Sequence, residues 1–224
     1  ITATSFIRIW KDYDFVLYFR NSLGVTLVAV LISLVASTLT GYGATRFNFR
    51  GKNTFLSFIL MTQMFPSIML LVPFYKILSV YGLNNSLVGL CIVYVSFTIP
   101  FCSWMMVGYF RTIPTEIDES AAIDGASHLQ TFWKIALPLV KPGLVSSAIY
   151  AFITCWNEYM FAAILLVNDK LKTAAVAIAE MNGYYKIAWN DMMAASLVAS
   201  VPLIIAFVFM QKSFISGLTA GAVK

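Results

Sequence analysis

The chain has few charged residues, one histidine and no cysteines in a CxxC spacing. Charged residues make up 11% of its 224 residues and hydrophobic residues 60%, whereas an ordinary soluble domain carries about 25% charged residues. A soluble protein of this length has too little interior to bury so much apolar surface. We therefore expect lipid to be the solvent for most of the chain.

Metal-binding and redox residues are equally scarce. His128 is the only histidine, and we expect it to start a helix rather than to bind a ligand. The cysteines lie in apolar runs without a CxxC spacing and are expected to be small packing residues: Cys91, Cys102 and Cys155. These absences predict that the chain holds no metal site.

Long uncharged runs divide the sequence. A bilayer core of about 30 Å is crossed by roughly 20 apolar residues in a helix, and a closed β-barrel would instead show short alternating segments. The runs predict an all-α, polytopic bundle with five membrane-spanning helices: Asn21–Thr45, Asn53–Tyr75, Ser86–Phe110, Pro142–Asn168 and Met192–Gln211. Only the fourth contains a charged residue, Glu158. Residues 1–224 are expected to form one transmembrane domain.

The basic residues predict the orientation of these spans. The net charge is +5, and we assign it to span ends rather than to a nucleic-acid partner. Arg46–Lys52 is a compact basic turn of the kind that stays in the cytoplasm. By span parity, the 111–141 loop and the C-terminus share its face. The 168–191 loop is expected on the external face.

The first half of the 111–141 loop predicts a short acidic helix. Thr115 followed by Asp118 fits a capping pattern, and Gly125 supplies a stop because glycine tolerates the left-handed conformation at a helix end. The helix is therefore expected over Glu116–Ile123.

The second half predicts another helix, over His128–Ala136. Ser127 and Gln130 fit a capping box, and Pro138 should end or bend the helix. This helix has more apolar surface than a solvated loop needs, at Phe132, Trp133, Ile135 and Leu137.

A loop that is part acidic and part apolar is suited to docking a partner. The carboxylates of Glu116, Asp118 and Glu119 are expected to face a basic partner, and the small residues Ser120–Ala122 to allow close approach. The alternative is a helix pair lying on lipid headgroups, where an acidic helix is a poor candidate.

Seven positions of this loop resemble the EAA motif of ABC importer permeases. That motif runs E-A-A, three residues, G, nine residues, I-x-L-P, and the spacing here is the same throughout. The matching residues are Glu119, Ser120, Ala121, Gly125, Ile135, Leu137 and Pro138. Ser120 is the one departure, a small residue in place of the first alanine.

The resemblance extends over most of the chain, to the second permease of maltose-type, carbohydrate-uptake importers. Ala44–Phe47, Ile123–Ser127, Trp156–Tyr159 and Gly217–Lys224 resemble segments of that branch. It implies the type I importer permease fold, which has six spans, the first of them expected before residue 1. It also implies a prokaryotic inner or plasma membrane location.

The resemblance further implies a set of partners. They are a second, paralogous permease, a dimer of ATPase subunits, an extracytoplasmic solute-binding protein and a carbohydrate substrate. The sequence has no G-x-x-x-x-G-K-[ST] loop, so we expect no enzyme activity or cofactor in this chain, with ATP and Mg on the ATPase. The implied ATPase-coupling residues are Glu116, Asp118, Glu119, Ser120, Ala121, Ala122, Asp124, Gly125, Ala126, Ile135, Leu137 and Pro138.

Two groups of residues are candidates for the translocation pathway. Gln63, Met64 and Phe65 precede Pro66, where a broken helix could line a pathway, although ordinary packing explains them too. The other group is Trp156, Asn157 and Glu158. Glu158 is the only ionisable residue well inside a span, so it is either a pathway group or a satisfied interhelical hydrogen bond.

The external loop offers candidate contacts to the binding protein: Asn182, Gly183, Tyr184 and Tyr185. An interfacial aromatic belt is the alternative for the tyrosines. Two other functions are compatible with a polytopic helical bundle. A secondary transporter or channel would need no ATPase, and an intramembrane enzyme would need a second catalytic group at the depth of Glu158.

Overall fold

The computed structural model describes residues 3–182 and 188–222, with side chains described as far as residue 208. The described residues form α-helices joined by short connections. The helices are α1 (Ala3–Lys11), α2 (Phe15–Arg46), α3 (Lys52–Thr62), α4 (Ser67–Val80), α5 (Leu87–Arg111), α6 (Glu116–Ile123), α7 (His128–Thr131), α8 (Leu137–Leu139), α9 (Lys141–Trp156), α10 (Met160–Leu165), α11 (Ala174–Glu180) and α12 (Trp189–Ala222). A π-helical segment spans Phe132–Ala136, and a 3-10 turn spans Asp169–Leu171.

Three helices of the described chain are each long and apolar enough to cross a membrane: α2, α5 and the Trp189–Val208 part of α12. Two helix pairs meet the same test together. They are α3 with α4, bent by 98°, and His128–Leu139 with α9, bent by 73°. Counting each pair as one span gives up to five spans. The fourth predicted span, Pro142–Asn168, is not a single helix, because α9 ends at Trp156, and the bent pair in this region begins at His128 instead.

The break predicted at Pro66 is confirmed. The α3 helix ends at Thr62, and Pro66 stands immediately before α4 with φ −58° and ψ 126°. A proline has no N–H to continue a helix and disfavours a helical conformation at the residue before it. The 98° bend between α3 and α4 therefore has a local cause in the sequence.

The bend predicted near Pro138 is present, although the helix does not end there. Upstream of it the helix widens into the π-segment, where the Leu137 N–H bonds the Phe132 carbonyl. Pro138 then lies in the first turn of α8, where its missing N–H is not required. The chain bends by 73° only after Leu139, so the bend is present but the helix continues through the proline.

The described chain divides into two compact units. The first contains residues 1–29, 66–95 and 152–208, and the second contains residues 30–65, 96–151 and 209–224. Each has its own apolar core. The first core includes Ile9, Phe15, Ala174, Met181, Ala194 and Ala195, and the second Tyr42, Met106, Phe110, Ile113, Phe132, Ala136 and Val140.

In the first unit, part of the segment predicted as an external loop is helical. Its α11 sequence is rich in alanine, the strongest helix former. Asn21 at the start of α2 holds the segment by donating its side-chain N–H groups to the carbonyls of Lys170 and Lys172, at 2.9 and 3.0 Å. The Ser22 hydroxyl also accepts the Ala174 N–H at 2.8 Å.

In the second unit, α2 and α5 approach each other closely. A Cβ added at Gly41 would lie 2.7 Å from the Met106 Cβ, so only glycine allows this distance. The hydroxyls of Ser33 and Thr98 are hydrogen-bonded at 2.6 Å on the same pair of helices. Small residues and interhelical hydrogen bonds are the usual means of packing helices in a membrane.

Candidate functional site

The acidic helix α6 has the bounds that the sequence predicts. It ends in a Schellman motif: the Gly125 N–H bonds the Ala122 carbonyl at 3.0 Å, and the Ala126 N–H bonds the Ala121 carbonyl at 2.9 Å. Gly125 has φ +81°, as its predicted stop role requires. The predicted Thr115 cap does not form, because Thr115 is itself in the helical region and makes no side-chain cap bond.

The second loop helix starts with the predicted capping box. The Ser127 hydroxyl accepts the Gln130 N–H at 3.3 Å, and the Gln130 side-chain oxygen accepts the Ser127 N–H at 2.8 Å. His128 is the first residue of α7, as expected. The end of α6 and the start of α7 are thus both determined by residues close to them in the sequence, Gly125 and the Ser127–Gln130 capping box.

One face of α6 is fixed to the protein itself. The Asp118 carboxylate forms an ion pair with Arg46, with 2.6 Å between Oδ2 and Nε, and Ala121 is only 5% exposed. The sequence-based expectation that Asp118 faces a partner is therefore corrected, because its carboxylate is used within the chain. Ala121 likewise packs within the chain rather than lying open for close approach.

The rest of α6 and the start of the next helix are open to solvent. Ile123 is 87% exposed, Leu129 67% and Trp133 58%, and the carboxylates of Glu116 and Glu119 are exposed beside them. We call these five residues the loop surface. Ser120, Ala122, Asp124, Gly125 and Pro138 are also exposed, whereas Ala126, Ile135 and Leu137 are half-buried.

Aromatic packing fixes the second half of the loop. Phe132 is 4% exposed, and its ring lies 4.9 Å from the ring of Tyr42 on α2. Tyr42 in turn contacts Phe110 at the end of α5, with 5.6 Å between ring centroids. Phe132 and Trp133 were both expected to contribute exposed apolar surface to this helix. The structure instead buries Phe132 and exposes Trp133.

Glu158 lies where the fourth predicted span breaks, between α9 and α10. Its carboxylate accepts the N–H groups of Phe161 and Ala162, at 2.7 and 3.1 Å, and so caps α10. The Tyr94 hydroxyl donates a third bond at 3.1 Å. Of the two interpretations of Glu158, this geometry supports the satisfied interhelical hydrogen bond. The sequence feature that could have indicated this cap is an acidic residue, Glu158, placed just before the apolar run that forms α10.

Trp156 and Asn157 adjoin a recess of about 210 Å³. Trp156 is 6% exposed, and its indole N–H donates to the Ala199 carbonyl at 3.0 Å. Asn157 is exposed and donates to the Ile153 carbonyl at 3.0 Å. The remaining lining residues are mostly small: Ala174, Ala175, Ile178, Ser196, Ala199, Ser200 and Leu203.

The other pathway candidates lie at the break between α3 and α4, in the second compact unit. Met64 is 80% exposed and Phe65 63%, and the Gln63 side chain donates to the Phe97 carbonyl at 3.1 Å. Asn182 is exposed at the edge of the described region. Gly183, Tyr184 and Tyr185, its companions in the predicted binding-protein contact, lie outside the described residues.

Within residues 3–182 and 188–222, no group of three or more His, Cys, Asp and Glu side chains is arranged to hold a metal ion. The notable constellation is instead the loop surface, carried by helices whose inner faces are anchored to α2. The family described as the binding-protein-dependent transport system inner membrane component matches residues 29–219. The chain belongs to this family.

Relatives resemble the permease over its full length. The trehalose/maltose transport system permease protein MalG of Thermococcus litoralis is 36% identical over 226 aligned positions, covering 100% of this chain and 81% of the relative. The diacetylchitobiose uptake system permease protein DasC of Streptomyces coelicolor is 34% identical over 223 positions, covering 100% and 79%. The predicted resemblance to sugar importer permeases is confirmed.

Solved structures share the fold of the permease. A bacterial ABC transporter involved in the import of the acidic polysaccharide alginate has a chain with TM-score 0.80 and 26% identity, covering 96% of this chain and 80% of that chain. The MetNI methionine ABC transporter gives TM-score 0.71 at 17% identity, covering 97% and 99%, which shows a common fold alone. The protein is a multi-pass transmembrane permease subunit of an ABC importer.

Proposed function

We propose that the permease forms half of a pathway for a carbohydrate and that a separate ATPase docks on the loop surface. The observation that carries this proposal is the exposure of Ile123, Leu129 and Trp133 beside two carboxylates. Soluble surfaces rarely present such apolar side chains together unless a partner covers them. The opposite face of α6 is fixed to the chain, so the surface is held ready for docking.

The ATPase supplies the energy for transport. A dimer of ATPase subunits binds ATP and Mg, and its closure moves α6, whose displacement changes the relative stability of two arrangements of the spans. The other half of the pathway is a second, paralogous permease. The coupling residues implied by the motif then act in two ways, either in the contact itself or, like Asp118 and Ala121, in holding α6.

The loop surface faces the cytoplasm in this proposal, together with the C-terminus. The basic turn Arg46–Lys52 supports this orientation, since cytoplasmic connections carry an excess of lysine and arginine. The 168–191 segment then faces outward and meets the solute-binding protein. Asn182, Gly183, Tyr184 and Tyr185 are the proposed contact residues.

Relatives whose names specify trehalose, maltose, maltodextrin and diacetylchitobiose support a saccharide substrate. We propose a di- or oligosaccharide for this permease. The exposed break at Gln63, Met64 and Phe65 and the recess beside Trp156 and Asn157 are the proposed pathway elements. Glu158, next to Asn157 in the chain, is retained as a third pathway candidate and also caps α10.

Docking is tested with Ile123→Lys in the complete importer, purified through a tag on the permease and placed in proteoliposomes. The variant is expected to lose the co-purifying ATPase and the uptake of labelled saccharide. Val167→Lys is the matched control, because Val167 is also 75% exposed but lies one span further along the chain. Wild-type ATPase content and uptake in Ile123→Lys would overturn the proposal.

A further inference from the structure

The last turn of α2 holds the loop helices although they lie far apart in the sequence. Arg46 is the final residue of α2, and its side chain is 7% exposed, while that of its partner Asp118 is 19% exposed. The 2.6 Å ion pair between them is therefore largely shielded from water. Shielded pairs are screened little by salt and hold a defined geometry.

The same guanidinium also binds the end of α5 and the linker to α6. Its two terminal nitrogens donate to the carbonyls of Phe110 and Ile113, at 3.4 and 3.2 Å. Arginine can hold one carboxylate as an ion pair while donating to two carbonyls because its nitrogens form a rigid planar fork, whereas lysine is a single point charge. One side chain thus joins α2, α5 and α6.

This connection determines which face of α6 points outward. Asp118 and Ala121 are three residues apart and lie on one face of the helix, and both are turned towards the protein. Glu119 and Ile123 are thereby left facing solvent. A buried ion pair adds little net stability but can specify an orientation, which is the property needed here.

A second contact from the end of α2 reinforces the first. Tyr42 lies one helical turn before Arg46 and packs its ring 4.9 Å from that of Phe132, in the π-segment after α7. The end of α2 therefore contacts α6 through an ion pair and the π-segment after α7 through aromatic packing. Neither helix is adjacent to α2 along the chain.

We infer that Arg46 is a positioning residue for energy coupling. Through Asp118 it makes α6 move together with α2, so that a displacement imposed by the ATPase enters the membrane through α2 as well as through the chain-adjacent α5 and α9. The inference rests on the proposed function, because it presumes that the ATPase docks on the loop surface. It adds the route by which the motion leaves that surface.

The test uses the complete importer in proteoliposomes and measures saccharide taken up per ATP hydrolysed. Asp118→Asn and Arg46→Gln are expected to retain the ATPase, because neither replaces a residue of the loop surface and the Tyr42–Phe132 packing remains, but to lower this ratio roughly 2- to 30-fold. Asp118→Glu, which keeps the charge, should recover most of the ratio. Arg50→Gln is the matched control, since it removes one exposed charge from the same turn and should leave the ratio unchanged.

The double variant Arg46→Gln with Asp118→Asn separates coupling from general damage. If both residues act through one contact, the double variant should be no worse than the poorer single variant. A wild-type ratio in both single variants, additive losses, or failure of Asp118→Glu to recover the ratio would each overturn the inference. Absence of the ATPase from the unmodified importer would instead overturn the proposed function.

Discussion

The Tyr94 hydroxyl donates a hydrogen bond of 3.1 Å to the carboxylate of Glu158. Tyr94 is 2% exposed in α5, and the carboxylate also caps α10 through the Phe161 and Ala162 N–H groups. An acidic side chain within a span of the permease is therefore satisfied by three donors. Glu158 thereby connects the break between α9 and α10 to the continuous helix α5.

This arrangement predicts a stability effect for Glu158 variants. Glu158→Ala leaves donors without an acceptor, and each buried unsatisfied group costs about 1–3 kcal/mol. Glu158→Gln keeps one acceptor oxygen and should cost less. Thermal unfolding of the purified importer should rank wild type above Gln and Gln above Ala. A Gln variant with wild-type thermal stability and no uptake would instead favour a gating role.

Gly41 and Gly43 form a matched pair on α2. A Cβ at Gly41 would lie 2.7 and 2.9 Å from Met106 atoms, whereas a Cβ at Gly43 meets nothing within 4 Å. We expect Gly41→Ala to lower the stability and yield of the permease by separating α2 from α5. Gly43→Ala should be neutral or stabilising by up to about 1 kcal/mol, the helix propensity gained. Equal melting temperatures of the two variants would contradict this packing.

Substitution of Gly125 is expected to strain the backbone without causing a steric clash. Its φ is +81°, and an added Cβ meets nothing within 4 Å, so only backbone strain opposes a side chain. Gly125→Ala should loosen the end of α6 at a cost of about 1–2 kcal/mol, and Gly125→Asn should cost less because asparagine tolerates this region. Hydrogen exchange of the Ala122–Ala126 amides should rise in Ala more than in Asn. Unchanged exchange in both would contradict the prediction.

Asn21 is expected to keep the external segment 169–180 structurally ordered. Its side chain donates to the carbonyls of Lys170 and Lys172, so Asn21→Ala should raise hydrogen exchange across residues 169–180. Asn21→Asp should raise it further, because a carboxylate would face two carbonyl oxygens and could not donate. Asn48→Ala, at an exposed position, is the control. If Asp and wild type exchange alike, these bonds do not hold the segment.

Local features of this chain were predictable because their causes lie within a few residues. Pro66 breaks a helix by lacking an N–H, Gly125 permits a left-handed stop, and Ser127 with Gln130 caps a helix start. The uncharged runs predicted the three unbroken spans α2, α5 and α12 because lipid excludes charge over about 30 Å. Thr115 failed as a cap because its own backbone turned helical, which its side chain does not control.

The sequence by itself thus determined the all-helical membrane class and the bounds of α6. Only the tertiary structure decided which side chains of the loop face inward. Asp118 and Glu119 are adjacent carboxylates, and Phe132 and Trp133 are adjacent aromatics, and the local sequence does not show which member of each pair faces inward. Arg46 and Tyr42, more than 70 positions away, take one member of each pair, and such distant partners are brought near only by the packing of α2 against the loop.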